Sequence, residues 1–223
     1  MLVAGFQKTS FVDYPGQPAA VVFAPYCNLN CLYCHNRHIL GPDAPLIPEE
    51  TVLEYLQKRR GLLKAAVLTG GEPTLQQNLE AFIRQIRELD YLVKLDTNGT
   101  KPQVVKALLA KGMLDYVAMD VKAPMAKYAA IAGGQVDTGA LAKSIAILRN
   151  SGVDHEFRLT FAPQLTVEDA VEAALLVKGC RRFYLQQYRP RDENDPAPHP
   201  PSVLAEAGER IREAIGVCTL RGA

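Results

Sequence analysis

Three cysteines, Cys27, Cys31 and Cys34, fall within the stretch PYCNLNCLYCHNR in a C-x3-C-x2-C array. Thiolates ligate soft metals, so the array points to a metal centre, and two kinds are in play. A structural zinc wants four protein ligands, usually in paired C-x2-C units, and only His35 or His38 stands near enough to complete the set. A [4Fe-4S] cluster presents four irons, and three cysteines on one tight loop would leave one iron open. An amine and a carboxylate on a small molecule could chelate that iron. A plain electron carrier would ordinarily close the fourth position.

The remaining cysteines, Cys180 and Cys218, have no cysteine neighbours, and an odd total of five does not look like a secreted disulfide framework. They read as small core residues. Lys and Arg total 25 against 24 Asp and Glu, which gives no broad cationic field for nucleic acid. The opening MLVAGFQKTS lacks a secretory pattern, and no apolar run reaches the roughly 18 residues of a membrane span. A cytoplasmic protein with no membrane or nucleic-acid partner is expected.

Elements that could position the array emerge from hydrophobic period. Short apolar runs at 19–25, 65–71, 91–99, 116–124, 155–163 and 182–190 read as strands. Between them, amphipathic segments with acidic or proline starts and glycine stops read as helices. A final helix, SVLAEAGERIREAIG, follows a Pro-rich charged loop. Alternation of this kind gives an α/β fold with a parallel sheet covered by helices. Six units suit an incomplete barrel, with a doubly wound open sheet as the rival; the dinucleotide fingerprint G-x-G-x-x-G is absent after the first strand. One domain is expected, with residues 1–18 as an extension, 19–190 as core and 191–223 as a loop and helix.

Every run ends in polar or special residues: PYC, TGGEP, DTNG, MDVK, then Arg158 with Thr160, then QQYR. Ligand sites of parallel α/β proteins lie at the carboxyl ends of the strands, so these residues should share one cavity. Glycines at 70 and 71 would allow close backbone approach, and a carboxylate or strand-edge carbonyl there could accept from an ammonium. The plainer alternative is a strand-to-helix turn with Pro73 near the helix start. Asp96, Asp120 and Lys122 carry charge among apolar neighbours and need partners or ligands. An Asp120–Lys122 or Asp96–Lys122 ion pair is the structural alternative.

The array with Tyr33 just before the last cysteine, GGEP about 36 residues later and DTNG after that, resembles the radical S-adenosylmethionine (radical SAM) superfamily. FQKTSFVDYPG, YCHNR, LDTNG, MDVKAP and YLQQYRP together look like the activating proteins of glycyl radical enzymes, in the branch that serves anaerobic ribonucleoside-triphosphate reductase. The resemblance implies a partial (β/α)6 TIM-like barrel and a [4Fe-4S] cluster held by Cys27, Cys31 and Cys34, with S-adenosylmethionine on the open iron. It also implies a glycyl radical enzyme as protein substrate and a flavodoxin- or ferredoxin-like electron donor. Gly70, Gly71, Glu72 and Pro73 match the segment that pairs with the methionyl amine.

Asp96, Thr97, Asn98, Asp120 and Lys122 match elements beside the cofactor carboxylate; in the related pyruvate formate-lyase activating enzyme such aspartates and the threonine help hold a monovalent cation. Arg158 could meet a carboxylate or ribose hydroxyl. Gln186, Gln187 and Tyr188 lie near the family's adenine site, and Tyr33 could contact the cofactor. Asp13 matches an aspartate that faces the barrel mouth and is a candidate substrate contact, although Tyr14 stands where relatives carry glycine. His35 and Asn36 could touch substrate or cluster, or stabilise the loop. The alternatives are a small-molecule radical SAM enzyme resembling the deazapurine-forming synthases, and an iron–sulfur electron-transfer module without turnover.

Overall fold

The six apolar runs are strands: β2 (Ala19–Ala24), β3 (Ala65–Gly70), β4 (Leu92–Thr97), β5 (Tyr116–Asp120), β6 (Asp154–Phe161) and β7 (Phe183–Gln187) in a computed structural model that describes residues 1–222. Each pairs in parallel with its successor. The expected helices are α1 (Glu49–Lys58), α2 (Leu79–Glu88), α3 (Pro102–Ala110), α5 (Thr138–Arg149), α6 (Val167–Leu175) and α7 (Pro201–Ile215). Their starts follow the sequence: proline opens α3 and α7, Asp137 caps α5, and Thr166 with Asp169 forms a capping box on α6.

Three further elements were not read from the sequence. β1 (Gly5–Ser10) pairs antiparallel with β2, β8 (Thr219–Arg221) pairs parallel with β7, and α4 (Tyr128–Ala132) is a single short turn of helix after β5. The sheet therefore has eight strands in the order β1 to β8, and it extends past both proposed edges of the core, 19 and 190. Its curl is evident because Cys27, just after β2, and Arg221, on β8, line the same cavity.

Period-two alternation divides the strands between two environments. Val22, Leu68, Leu95, Val117 and Phe157 join the large core under the helices, while Ala19, Val21, Ala65, Val67 and Tyr116 pack inside the curl. Tyr14 closes the floor of that inner cluster, its ring 5.9 Å from that of Tyr116. Burial first, then Asp115 and Asp154, push the Tyr14 phenol up to about 12. Tyr14 is thus a plug at this end of the barrel.

Asp13 requires a correction. Because β1 runs antiparallel, Ser10 at its end pairs with Ala19 at the start of β2, so Asp13 lies at the amino end of the barrel strands, opposite the mouth. Its carboxylate takes a hydrogen bond from the Ser10 hydroxyl within its own turn. It is not placed to touch a substrate at the mouth.

Candidate active site

At the carboxyl ends of the strands lies a cavity of about 560 Å³. Its wall includes the three array cysteines with Tyr33, the Gly70–Gly71 edge, Asp96 to Asn98, Asp120, Lys122, Arg158 and Gln187. Expected site residues from every barrel strand converge here, as the strand-end argument requires.

The cysteine loop is pinned on both flanks. Asn30 and Leu32 donate backbone N–H bonds to Ala132 and Ile131 at 2.9 and 3.1 Å, so the unforeseen α4 is the bed on which the loop lies. Asn36 donates to the Gly70 carbonyl at 3.0 Å and Arg37 to the Cys31 carbonyl at 3.0 Å. The residues after Cys34 therefore hold the loop shape. Gly71 N–H bonds Ala24 O and Glu72 N–H bonds Tyr26 O, both at 2.8 Å. A Cβ on Gly71 would fall 1.9 Å from Tyr26 O, and Gly70 has φ +109 with Ala24 N 2.6 Å from a Cβ position. Glycine is required at both positions because two backbones touch.

Glu72 is fully buried and does not line the cavity, which corrects its expected role as an ammonium acceptor. Its Oε1 accepts from Thr74 N–H at 3.1 Å, the Thr74 hydroxyl at 2.6 Å and the Thr97 hydroxyl at 2.8 Å, while Oε2 accepts from Asn98 N–H at 2.6 Å. Burial pushes its pKa up against these four donors. The carboxylate is a clasp between the GGEP and DTNG turns. Pro73 is likewise buried, opening a 3-10 turn, and Tyr188 lies beyond the end of β7, buried and outside the cavity lining.

An ionic layer crosses the cavity floor. Asp96 accepts from Lys94 on one oxygen and from Arg158 at 3.1 Å on the other; Asp120 accepts from Arg158 at 2.7 Å and Lys122 at 3.0 Å. The Asp120–Lys122 alternative from the sequence is present, whereas Asp96 pairs with Lys94 and Arg158 instead of Lys122. Burial opposes ionisation, but Arg158 with Lys94 holds Asp96 below the usual carboxylate range, and Arg158 with Lys122 does the same for Asp120. All four carboxylate oxygens are taken by protein cations, and one positive charge is left in excess. Lys122, with three ammonium donors and one ion pair, faces the cavity with donors to spare.

Two polar atoms in the wall lack partners: Tyr33 Oη and Gln187 Oε1 are both buried. The Gln187 amide donates to His199 O at 2.7 Å, and His199 stacks on Phe161 at 4.0 Å, so the loop after β7 fixes which edge faces inward. Buried polar atoms without partners are uncommon in folded proteins. Arg221 and Gly222, on and after β8, also join the lining; a three-residue strand gave no sequence signal for them.

The residues present fit a cluster with a chelating ligand. The donors are three soft thiols on one loop, and burial pushes Cys27 and Cys31 above the ordinary thiol range, which a metal would reverse by displacing the proton. Among the described residues no three His, Cys, Asp or Glu side chains converge on a single-ion point. No helix of the described residues is long and apolar enough to cross a membrane.

Residues 21–177 match the Radical SAM superfamily. A protein of Methanocaldococcus jannaschii whose name assigns it provisionally to the glycyl-radical enzyme activating enzymes is 36% identical over 203 residues, 87% of this chain and 82% of that one. A 7-carboxy-7-deazaguanine synthase of Thermococcus kodakarensis is 26% identical over 185 residues, 74% of this chain and 72% of the relative. Among solved structures, a radical SAM methyltransferase from Sphaerobacter thermophilus shares the fold with a TM-score of 0.74 at 15% identity, covering 96% of this chain and 68% of that chain. Other matches are partial: the chain spans 36% of a GTP 3',8-cyclase from Pyrococcus abyssi and 49% of SuiB from Streptococcus suis.

Proposed function

This chain belongs to the radical SAM superfamily, and we propose from that premise that it is an activase that leaves a stored glycyl radical on a partner enzyme. The observation that carries the reading is the convergence of Cys27, Cys31 and Cys34 with the Gly70–Gly71 edge and the Lys122–Asp120–Arg158–Asp96 layer around one cavity. The relative of matching length named for glycyl-radical activation supports the choice of substrate class.

The cluster, when bound, supplies one electron that splits the sulfonium of S-adenosylmethionine into methionine and a 5'-deoxyadenosyl radical. Cys27, Cys31 and Cys34 would hold it. The spare donors of Lys122, backed by the excess positive charge of the ionic layer, bind the methionyl carboxylate. The Gly70 carbonyl, with one lone pair used by Asn36, keeps a second for the methionyl ammonium. Gln187 and Tyr33, which line the cavity, would contact the adenosine portion. Because the bound cofactor would supply the hydrogen-atom abstraction from a glycine Cα of the partner, none of the residues lining the cavity would be needed as an acid or base. Tyr26 and Leu32, partly exposed on the cysteine loop itself, give the mouth an apolar rim that suits a protein loop.

The electron donor in this reading is a small flavodoxin- or ferredoxin-like carrier. The finer assignment, an anaerobic ribonucleoside-triphosphate reductase as partner, rests on the motif resemblance alone. The reading is tested by mixing reduced protein, S-adenosylmethionine and candidate glycyl radical enzymes and recording the electron paramagnetic resonance spectrum for a glycine-centred radical. The 26% identical synthase favours a second reading, a small-molecule substrate; 5'-deoxyadenosine formed without a radical on any candidate partner would move the assignment there.

A monovalent cation at Asp96 and Asp120 has no carboxylate oxygen to itself, since each already accepts from Lys94, Lys122 or Arg158. A cation there would share those oxygens with Lys94, Lys122 and Arg158, whose positive charges would repel it. Replacing sodium and potassium in the assay by a bulky organic ammonium ion is therefore expected to leave the rate of S-adenosylmethionine cleavage unchanged. A rate that collapses in that buffer and returns with potassium would contradict this account of the ionic layer.

A further inference from the structure

Asn98 stands between the end of β4 and the cysteine loop. Its Oδ1 accepts from Thr100 N–H at 3.0 Å and from the Thr100 hydroxyl at 2.7 Å. A backbone N–H is a donor under any assignment, so the opposite edge of the amide must be the NH2. That NH2 donates to Asn28 Oδ1 at 3.0 Å and lies 3.7 Å from Cys27 Sγ, within hydrogen-bond reach of sulfur. The Asn28 amide in turn donates to the Thr100 hydroxyl at 2.9 Å, which closes a ring between the two loops. The buried Glu72 clasp holds the Asn98 backbone at 2.6 Å.

The same sulfur also faces Leu29 N–H at 3.4 Å. Of the three array sulfurs, Cys27 alone accepts bonds from other residues' donors among the described residues. Its cluster corner would be electronically unlike the other two. Hydrogen bonds to ligand sulfurs stabilise the more negative, reduced state of an iron–sulfur cluster and so raise its potential.

We infer that Asn98 is a positioning residue that hydrogen-bonds the Cys27 ligand sulfur and thereby raises the reduction potential of the cluster. Thr100 fixes the direction of its amide, and Glu72 fixes its distance. The inference rests on the cluster reading above, and its failure is separable from the failure of that reading.

The test reconstitutes wild-type and Asn98→Ala chains anaerobically, measures iron and sulfide per chain, and titrates the cluster potentiometrically without S-adenosylmethionine. A midpoint more negative in Asn98→Ala, with loss of an exchangeable-proton coupling in the pulsed electron paramagnetic resonance spectrum, is expected. Thr100→Val leaves both sulfur donors in the chain but frees the amide to turn; a smaller shift in the same direction is expected. Asn98→Ala with wild-type iron content and an unchanged midpoint overturns the inference. If Asn98→Ala takes up no cluster, Thr100→Val decides: a negative shift supports the inference and an unchanged midpoint overturns it. A wild-type chain that takes up no cluster overturns the functional reading and this inference with it.

Discussion

Cys31→Ala protein, reconstituted anaerobically, is expected to retain only background iron and sulfide and to form no 5'-deoxyadenosine, with its circular dichroism unchanged. Cys31 is the middle ligand of the array, and its loop is held from outside by α4, Asn36 and Arg37, so removing one thiol leaves the scaffold in place. Two thiols do not retain a cluster that already lacks a fourth protein ligand. Cys180→Ala and Cys218→Ala provide the contrast: both residues are buried just before β7 and β8, at the end of the strands opposite the cavity. Each should load a full cluster and lose at most about 1 kcal/mol of stability. Iron analysis and the visible spectrum check all three chains.

Arg158→Met is expected to destabilise the protein by about 3 to 5 kcal/mol, or on the order of 10 °C in Tm. Arg158 is the one cation that bridges both buried aspartates, and removing it leaves Asp96 with Lys94 alone and Asp120 with Lys122 alone. The triple change Arg158→Met, Asp96→Asn, Asp120→Asn should deepen the loss, since it strips buried Lys94 and part-buried Lys122 of the carboxylates that still pair them. The pH dependence follows from the depressed carboxyls. A group with a folded pKa below its unfolded value contributes fully above the unfolded value, about 3.9 for aspartate, and its contribution fades as pH falls toward the folded one. Wild-type stability should therefore be flat in this respect down to about pH 5 and fall below about pH 4, with a shallower acid limb in Arg158→Met. Thermal melts across pH measure both.

The sequence displayed what long apolar strands and paired polar ends can display. β2, β3 and β5 are strands because consecutive apolar residues are buried on both faces, and β4, β6 and β7 because apolar residues alternate with residues that turn into the curl. Their ends converge because a parallel sheet has one mouth. Short or polar elements left little trace. β8 is three residues, α4 is five, and β1 is an edge strand whose Gln7 and Lys8 face solvent. Each of these matters at the site: α4 carries the cysteine loop, β8 delivers Arg221, and the antiparallel turn out of β1 takes Asp13 to the far end.

Direction of side chains was the other hidden layer. Glu72 reads as an acceptor for a ligand, yet four short donors from Thr74, Thr97 and Asn98 draw it into the protein. Asp96 and Asp120 read as charges in need of partners, but nothing in the sequence singles out Lys94, two residues before Asp96 on β4, as the cation that satisfies one of them. Asn36 and Arg37 turn back to brace the loop, so Asn36 stabilises the loop as well as lining the cavity.

The most direct measurement follows the hydrogen atom itself. A candidate glycyl radical enzyme is made with its glycines deuterated at Cα, then incubated with this protein, an excess of S-adenosylmethionine and a one-electron reductant, and the 5'-deoxyadenosine is weighed by mass spectrometry. The account predicts 5'-deoxyadenosine carrying one deuterium, in step with the glycyl radical on the partner. Abundant 5'-deoxyadenosine free of deuterium, with every glycyl radical enzyme offered, would contradict it.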